Sequence, residues 1–337
     1  MQTLSVAFSA IISVLAVVLC GVVLRRLARV GAELEHGLVR LAIDILFPCL
    51  IFKRVIQTDA FNDLQNLWLP PLIGFSMTAL GIIIGLAVTK LPSSWTGLYS
   101  LKSKRTFAAC IALLNYGYLP IPLIDALFPD DSRMMGALFP MFLGAETSMW
   151  TLMLFTMRGE WDVKALRNII NGPILTIIVS VPLNVLCHHS AVCRQFFAPV
   201  FNFLLNERYG PVNMIGTAAI PVALLMIGLT INELLDGEAV QQRLRQLWKT
   251  ALWSCFVRLV VMPVLIILCA AYLPCTAEIK RVMVIYAAMA SAVLPIALSK
   301  YYGGSTETAF DTVMSNTLLA LLTSPLWITA GLHWIGG

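Results

Sequence analysis

The residues with most chemical content in this chain are helix breakers set beside an amide, not acids or nucleophiles at a catalytic spacing. Asn115, Tyr116, Gly117, Tyr118, Leu119, Pro120, Ile121 and Pro122 put a carboxamide, a glycine and two prolines into one otherwise apolar stretch. A proline removes a backbone N–H and collides with the carbonyl one turn earlier, and in hydrocarbon a freed carbonyl must find protein or trapped water. A broken helix is expected there. Ser291, Ala292 and Pro295 repeat the device more mildly. If the two breaks cross, two half-helix N-termini with unpaired amides share one small volume, which favours an anion. The chemistry is then reversible binding of a carboxylate-bearing solute. Asn115, Tyr116, Gly117, Pro120, Pro122, Ser291 and Pro295 are the candidate substrate-binding residues. The competing reading is a packing kink, which is the ordinary one for single prolines such as Pro48, Pro182, Pro221 and Pro263, because proline is common in membrane helices.

Three charges fall within apolar stretches: Asp44, Glu146 and Arg258. Each costs at least a few kcal/mol at mid-bilayer unless partnered or hydrated. Two readings stand. Arg258 forms a buried ion pair with either carboxylate and holds two helices together; or Glu146 or Asp44 exchanges a proton, or Arg258 neutralises an anionic solute.

Enzymatic readings lack their parts. The histidines are His36, His188, His189 and His333, none deep in an apolar stretch. There is no H-E-x-x-H, G-x-S-x-G or Walker-type glycine loop, so no catalytic residue, metal site or cofactor is assigned. The eight cysteines are scattered without a C-x-x-C pair, and Cys110, Cys255 and Cys269 read as small apolar fillers. Cys187 and Cys193 both fall near the outer face, where a disulfide is open to them in an oxidising compartment.

The elements that must position these residues are membrane helices. Of 337 residues, 59% are hydrophobic and 12% charged, against roughly 25% charged in a soluble domain. Apolar stretches near the roughly 20 residues that a span needs fall at about 4–24, 36–56, 67–90, 105–128, 134–157, 168–188, 211–232, 249–272, 281–300 and 309–334. The net charge of +5 forms no stripe or tail, so it reports topology and not nucleic acid. Arg25, Arg26, Arg29, Arg40, Lys90, Lys102, Lys104, Arg105, Arg158, Lys164, Arg167, Arg243, Arg245, Lys249 and Lys300 fall on one side; Lys53, Arg54, Arg133, Arg194, Arg208, Lys280 and Arg281 fall on the other. The positive-inside rule puts both termini outside the cytoplasm. Residues 2–24 have no basic n-region and are expected to stay as the first span, not to be cleaved as a signal. The stretch Arg194 to Asn206 has two readings, an amphipathic helix along the outer interface or an extended start to the seventh span.

Leu119-Pro120-Ile121-Pro122-Leu123 and Leu294-Pro295-Ile296-Ala297-Leu298 lie 175 positions apart, close to half the chain. A half with an odd number of crossings delivers the chain to the opposite side. The expectation is an all-α polytopic membrane protein of about ten transmembrane helices, built as two inverted five-helix repeats with broken, crossing helices 4 and 9. The repeats are residues 1–160 and 161–337.

The motifs Leu46-Phe47-Pro48-Cys49-Leu50-Ile51-Phe52, Asn115 through Leu123, Trp150-Thr151-Leu152-Met153-Leu154-Phe155, and Pro295 through Gly303 resemble, in this order and spacing, the auxin efflux carrier family. The resemblance covers essentially the whole chain. It implies a scaffold of spans 1, 2, 6 and 7, a transport unit of spans 3–5 and 8–10, elevator-like motion, and often a homodimer. It also implies that Asn115 contacts a substrate carboxylate. Two departures stand out: Pro120 replaces the usual glycine before the I-P-L step, and Ala290 replaces the usual first proline of the ninth span. The long hydrophilic loop of many plant members is missing between Arg158 and Arg167. The function implied is a secondary carrier for a small organic anion in the cell membrane. Two alternatives remain. A sodium-coupled symporter like the bile acid carriers needs clustered oxygen ligands, for which Glu146, Asn115 and Ser291 are few. A non-transporting membrane sensor or assembly protein draws support from Pro120 and Ala290.

Overall fold

The computed structural model describes residues 2–28, 37–38, 40–117, 119–129, 131–160, 170–235 and 240–336. The expected inner-side residues Arg29, His36, Lys164 and Arg167, and Tyr118 of the first motif, lie outside them. Among the described residues the secondary structure is helical, with no strand beyond one isolated antiparallel bridge. Helix is the open-chain form that pairs its backbone groups internally, as hydrocarbon demands. Five helical stretches are long and apolar enough to cross a bilayer: Gln65–Thr89, Ser132–Arg158, Gly172–His189, Trp248–Tyr272 and Thr306–Trp334. Shorter helices fill the intervals, as expected of a polytopic membrane protein.

In chain order the elements are α1 (Gln2–Ala28), α2 (Phe47–Gln57), α3 (Gln65–Val88), α4 (Leu101–Ala112), α5 (Pro120–Leu127), α6 (Ser132–Ser148), α7 (Leu154–Arg158) and α8 (Gly172–His189). The second part holds α9 (Ala191–Leu204), α10 (Pro211–Thr217), α11 (Ala219–Leu235), α12 (Val240–Phe256), α13 (Met262–Tyr272), α14 (Ala277–Ala287), α15 (Leu294–Tyr301) and α16 (Thr306–Trp334). The segment after Arg194 belongs to α9, a separate helix with no buried residue that ends before Pro211. It is not an extended start of the next span.

Two single prolines have a structural outlet. Pro48 and Pro263 are each the second residue of a helix that follows a π-helical turn, Ala42–Leu46 and Val257–Val261. The wider turn accommodates the ring and its missing N–H. A third π turn, Met149–Met153, joins α6 to α7.

Both interrupted helices are present. Helical structure stops at Ala112 and resumes at Pro120, and stops at Ala287 and resumes at Leu294. The second interruption is as complete as the first, although Ala290 stands where a proline was expected. Backbone bonding to the other segment, and not a proline in the gap, holds it open. From Thr106 to Ala112 every residue of α4 is buried, and so is Val282 to Ala287 of α14, so the two half-helices run through the centre of the protein.

Around that centre, α3 packs on α4 and α6, α6 on α14, and α16 on α4, α12, α14 and α15. A second group joins α1 to α11, and α2 to α8 and α10. The groups meet where α1 touches α5 and α16 and where α2 touches α6. Membrane helices pack closely where small residues let backbones approach. At Gly144 of α6, an added Cβ would meet the Pro71 carbonyl of α3, with Pro71 C at 2.7 Å and Phe75 N at 2.9 Å. These are backbone atoms, which cannot rotate aside. Gly144→Ala is therefore expected to destabilise the protein by about 1–3 kcal/mol, seen as a lower melting temperature in detergent. Gly37→Ala, where no described residue lies within 4 Å, should leave it unchanged.

Candidate functional site

The two interruptions lie against each other. Asn115 donates its backbone N–H to the Ala290 carbonyl at 2.9 Å, and Ala292 donates to the Leu113 carbonyl at 2.8 Å. Together they form an antiparallel bridge between Leu114 and Ser291. Each break supplies a donor and an acceptor to the other, which settles two N–H groups and two carbonyls of the backbone partners that low dielectric makes obligatory.

Several further carbonyls beside the breaks are met by side chains. The carbonyl of Tyr116, outside the helix that Pro120 opens, accepts from the Tyr286 hydroxyl at 2.8 Å. Ser324 of α16 donates to the Ala288 carbonyl at 2.7 Å. Arg258, fully buried in the π turn before α13, donates Nε at 3.0 Å and Nη2 at 2.8 Å to the Met289 carbonyl, and Nη2 at 3.4 Å to the Tyr286 carbonyl. The guanidinium thus sits at the negative end of the α14 dipole. The expected ion pair with a carboxylate is not what it forms. Asp44 is exposed on its own π turn, and Glu146 is engaged elsewhere. The bare carbonyls at a helix end offer the cation what a carboxylate was expected to give.

Glu146 is 7% exposed. Its Oε2 accepts from the Tyr116 hydroxyl at 2.5 Å, and its Oε1 from Trp150 Nε1 at 3.1 Å and Asn171 Nδ2 at 3.0 Å. Asn171 also caps α8, its Oδ1 accepting from the Ile174 N–H at 3.1 Å. The Tyr116 ring meets Phe142 edge to face at 5.0 Å. In the second break, Ser291 accepts from Asn316 Nδ2 of α16 at 2.9 Å. Tyr116 and Ser291 are 175 positions apart, and each ties its break to the long helix that follows.

Asn115 stands out from this accounting. It is 8% exposed, its backbone N–H is spent on the bridge, and its carboxamide makes no hydrogen bond to any described residue. Arg258 Nη1 and Asn316 Oδ1 are likewise buried without a hydrogen-bond partner among the described residues. The helix amides are scarcer than expected. Pro120 and Pro122 lack two of the first donors of α5, and the Ile121 N–H between them points to the Gly117 carbonyl at 3.4 Å. In α15, Pro295 lacks its donor and the Ile296 N–H bonds Val293 at 3.0 Å. The half-helix dipoles remain, but few N–H groups are left to grip a ligand.

Asn115, Tyr116, Ser291, Glu146 and Arg258 are thus bonded into or beside one crossover, Gly117 and the three prolines shape it, and Asp44 stands apart. Sequence reasoning missed Tyr286, Ser324, Asn316 and Asn171, whose one signal was a polar group inside or bordering an apolar run. At the far end of α8, Cys187 and Cys193 are free thiols with Sγ atoms 3.1 Å apart. A cavity of about 320 Å³ there is lined by Thr58, Asp59, Asn184, His188 and Arg194 among others and includes no crossover residue.

Arg258→Met would strip the Met289 carbonyl of its side-chain donor, while the Tyr286 carbonyl would keep the Met289 N–H at 3.1 Å. A buried polar group left unsatisfied costs about 1–3 kcal/mol, so the variant is expected to melt lower in detergent, with Arg258→Lys in between. An unchanged melting temperature would show that the Met289 carbonyl does not need the guanidinium.

A profile of the family described as membrane transport protein matches this chain twice, over residues 6–168 and again over 163–328. The chain is also 24% identical over 332 residues to a protein of Methanothermobacter thermautotrophicus described as an uncharacterized transporter, covering 94% of this chain and 96% of that one. The family is one of transporters and not a class of enzymes. With both matches together spanning nearly its whole length, this chain belongs to the membrane transport protein family of the auxin efflux carriers.

Proposed function

We propose that the protein is a secondary carrier that moves a small organic anion of the carboxylate class across the cell membrane, holding it at the crossover. The observation that carries this reading is the carboxamide of Asn115. This buried amide, at the centre of the two breaks, makes no hydrogen bond among the described residues. An Asn Nδ2–H₂ is a two-proton donor suited to a carboxylate oxygen. The positive field for an anion comes from the N-terminal dipoles of α5 and α15 and from the Arg258 guanidinium, which faces carbonyls one residue along from Ala290. With the prolines depleting the helix amides, recognition falls on side chains more than on backbone.

Transport needs the site to open alternately to each side. The division of packing into α1, α2, α8, α10 and α11 against the helices around the crossover supports an elevator, with the first group as scaffold and the second as the unit that carries the solute. In this reading the chain is ten spans in two inverted repeats, with both termini outside as the basic residues direct, and a homodimer would steady the scaffold.

The test is uptake into proteoliposomes across a panel of mono- and dicarboxylates. At least one acid should accumulate, and Asn115→Ala should reduce its uptake by about 10-fold or more, as expected for losing a hydrogen bond to a charged group. Uptake of every transported acid at the wild-type rate by Asn115→Ala would remove Asn115 from the site.

A further inference from the structure

The carboxyl group of Glu146 is placed to do more than brace the crossover. Its three donors come from three different places: the first break (Tyr116), the π turn after α6 (Trp150) and the cap of α8 (Asn171). No cation is among them. The ionisable groups on the elements packed around α6 are engaged elsewhere. Asp125 of α5 pairs with Arg54 of α2 at 2.6 Å, and Glu278 and Arg281 of α14 with Arg133 and Asp131. Lys53 of α2 donates to Asn213, Lys280 of α14 to the Ala271 carbonyl, and the Tyr286 hydroxyl to Tyr116. Cys49 is a free thiol on α2. Helix α3 has no ionisable residue, and Cys187, His188 and His189 stand at the opposite end of α8, about 25 Å from Asn171 at helical rise. Arg158 closes α7 beyond the π turn, and Asp44 is exposed.

A buried carboxylate held by neutral donors alone has an uncharged alternative, the acid, and this site can hydrogen-bond both forms. The Tyr116 hydroxyl lies 2.5 Å from Glu146 Oε2 and 3.4 Å from Met149 Sδ. When a proton from water joins Oε2, that O–H donates to the Tyr116 oxygen, the tyrosine turns its own hydrogen to the sulfur, and Oε1 goes on accepting from Trp150 and Asn171. One proton is gained, one charge is lost, and no donor is stranded. We infer that Glu146 and Tyr116 form a proton-binding site linked to the solute site through Tyr116 itself. Tyr116 follows Asn115 directly in the chain, and its carbonyl is fixed by Tyr286. Bonds to an ionised group are roughly twice as strong as neutral ones. Protonation therefore loosens the grip on the segment that carries Asn115, and also the bond to the α8 cap, which joins the two groups of helices. The consequence for transport rests on the carrier reading; the proton site does not.

The test is pH-difference infrared spectroscopy of the full-length protein in lipid nanodiscs, comparing wild type with Glu146→Gln and Tyr116→Phe. Acidification should produce a protonated carboxyl band, with loss of a carboxylate band, that is present in wild type and lost in Glu146→Gln. In Tyr116→Phe the same band should appear with a displaced midpoint, which a merely structural carboxylate would not show. If wild type and Glu146→Gln give the same difference spectrum, or if Tyr116→Phe leaves the midpoint in place, the inference is overturned. Should Glu146→Gln not fold, the Tyr116→Phe comparison decides alone. No solute enters the measurement, so its failure leaves the Asn115 uptake test standing, and a failed uptake panel leaves this signal untouched.

Discussion

A helix that stops inside hydrocarbon must find partners for the backbone groups it abandons, and lipid has none to give. In this protein two helices stop, and they answer one another. The pair of hydrogen bonds between Asn115 and Ala290 and between Ala292 and Leu113 lets each break exist because the other does. The tyrosine, serine and arginine around the bridge follow from the same constraint, since they take up the carbonyls that a two-bond bridge cannot reach. A buried guanidinium, costly in isolation, is tolerable where helix-end carbonyls converge on it.

The two halves of the crossing are alike in backbone and unlike in side chain. Tyr116 reaches an acid, Glu146, whereas Ser291 at the matching position reaches an amide, Asn316. The first break also carries the carboxamide of Asn115, unbonded among the described residues, and the alanine 175 positions on, Ala290, contributes its carbonyl. Backbone similarity gives the crossing its shape, and the unlike side chains set a carboxyl group beside the first break and a guanidinium beside the second.

Much of this was legible in the sequence. Pro120, Pro122 and Pro295 announce breaks because proline's missing donor is a local property, and their spacing brought the two breaks into one picture. Asn115 could be singled out because an amide inside an apolar run needs a reason. The partners of the charges were not legible. Arg258 bonds carbonyls 28 and 31 residues away, and every residue type has a carbonyl, so nothing in the sequence marks them; a carboxylate partner was the natural guess and the wrong one. Asn171, 25 residues from Glu146, reads locally as a helix cap, which it also is. The thinning of helix amides was visible in Pro120 and Pro122, but its weight appears only once Ile121 is seen bonded to Gly117.

The bridge itself is the claim on which the rest stands, and a cross-link reads it directly. Leu114 and Ser291 occupy a pair whose α-carbons in antiparallel pairing lie about 4.5 Å apart, within the roughly 4.4–6.8 Å that a disulfide spans. In a background with the eight native cysteines replaced, the double variant Leu114→Cys with Ser291→Cys should close a disulfide within one chain under mild oxidation in membranes, and both thiols should become unreactive to maleimide until reduced. If both thiols stay reactive under conditions that oxidise exposed pairs, the two breaks do not touch, and the crossover account fails with them.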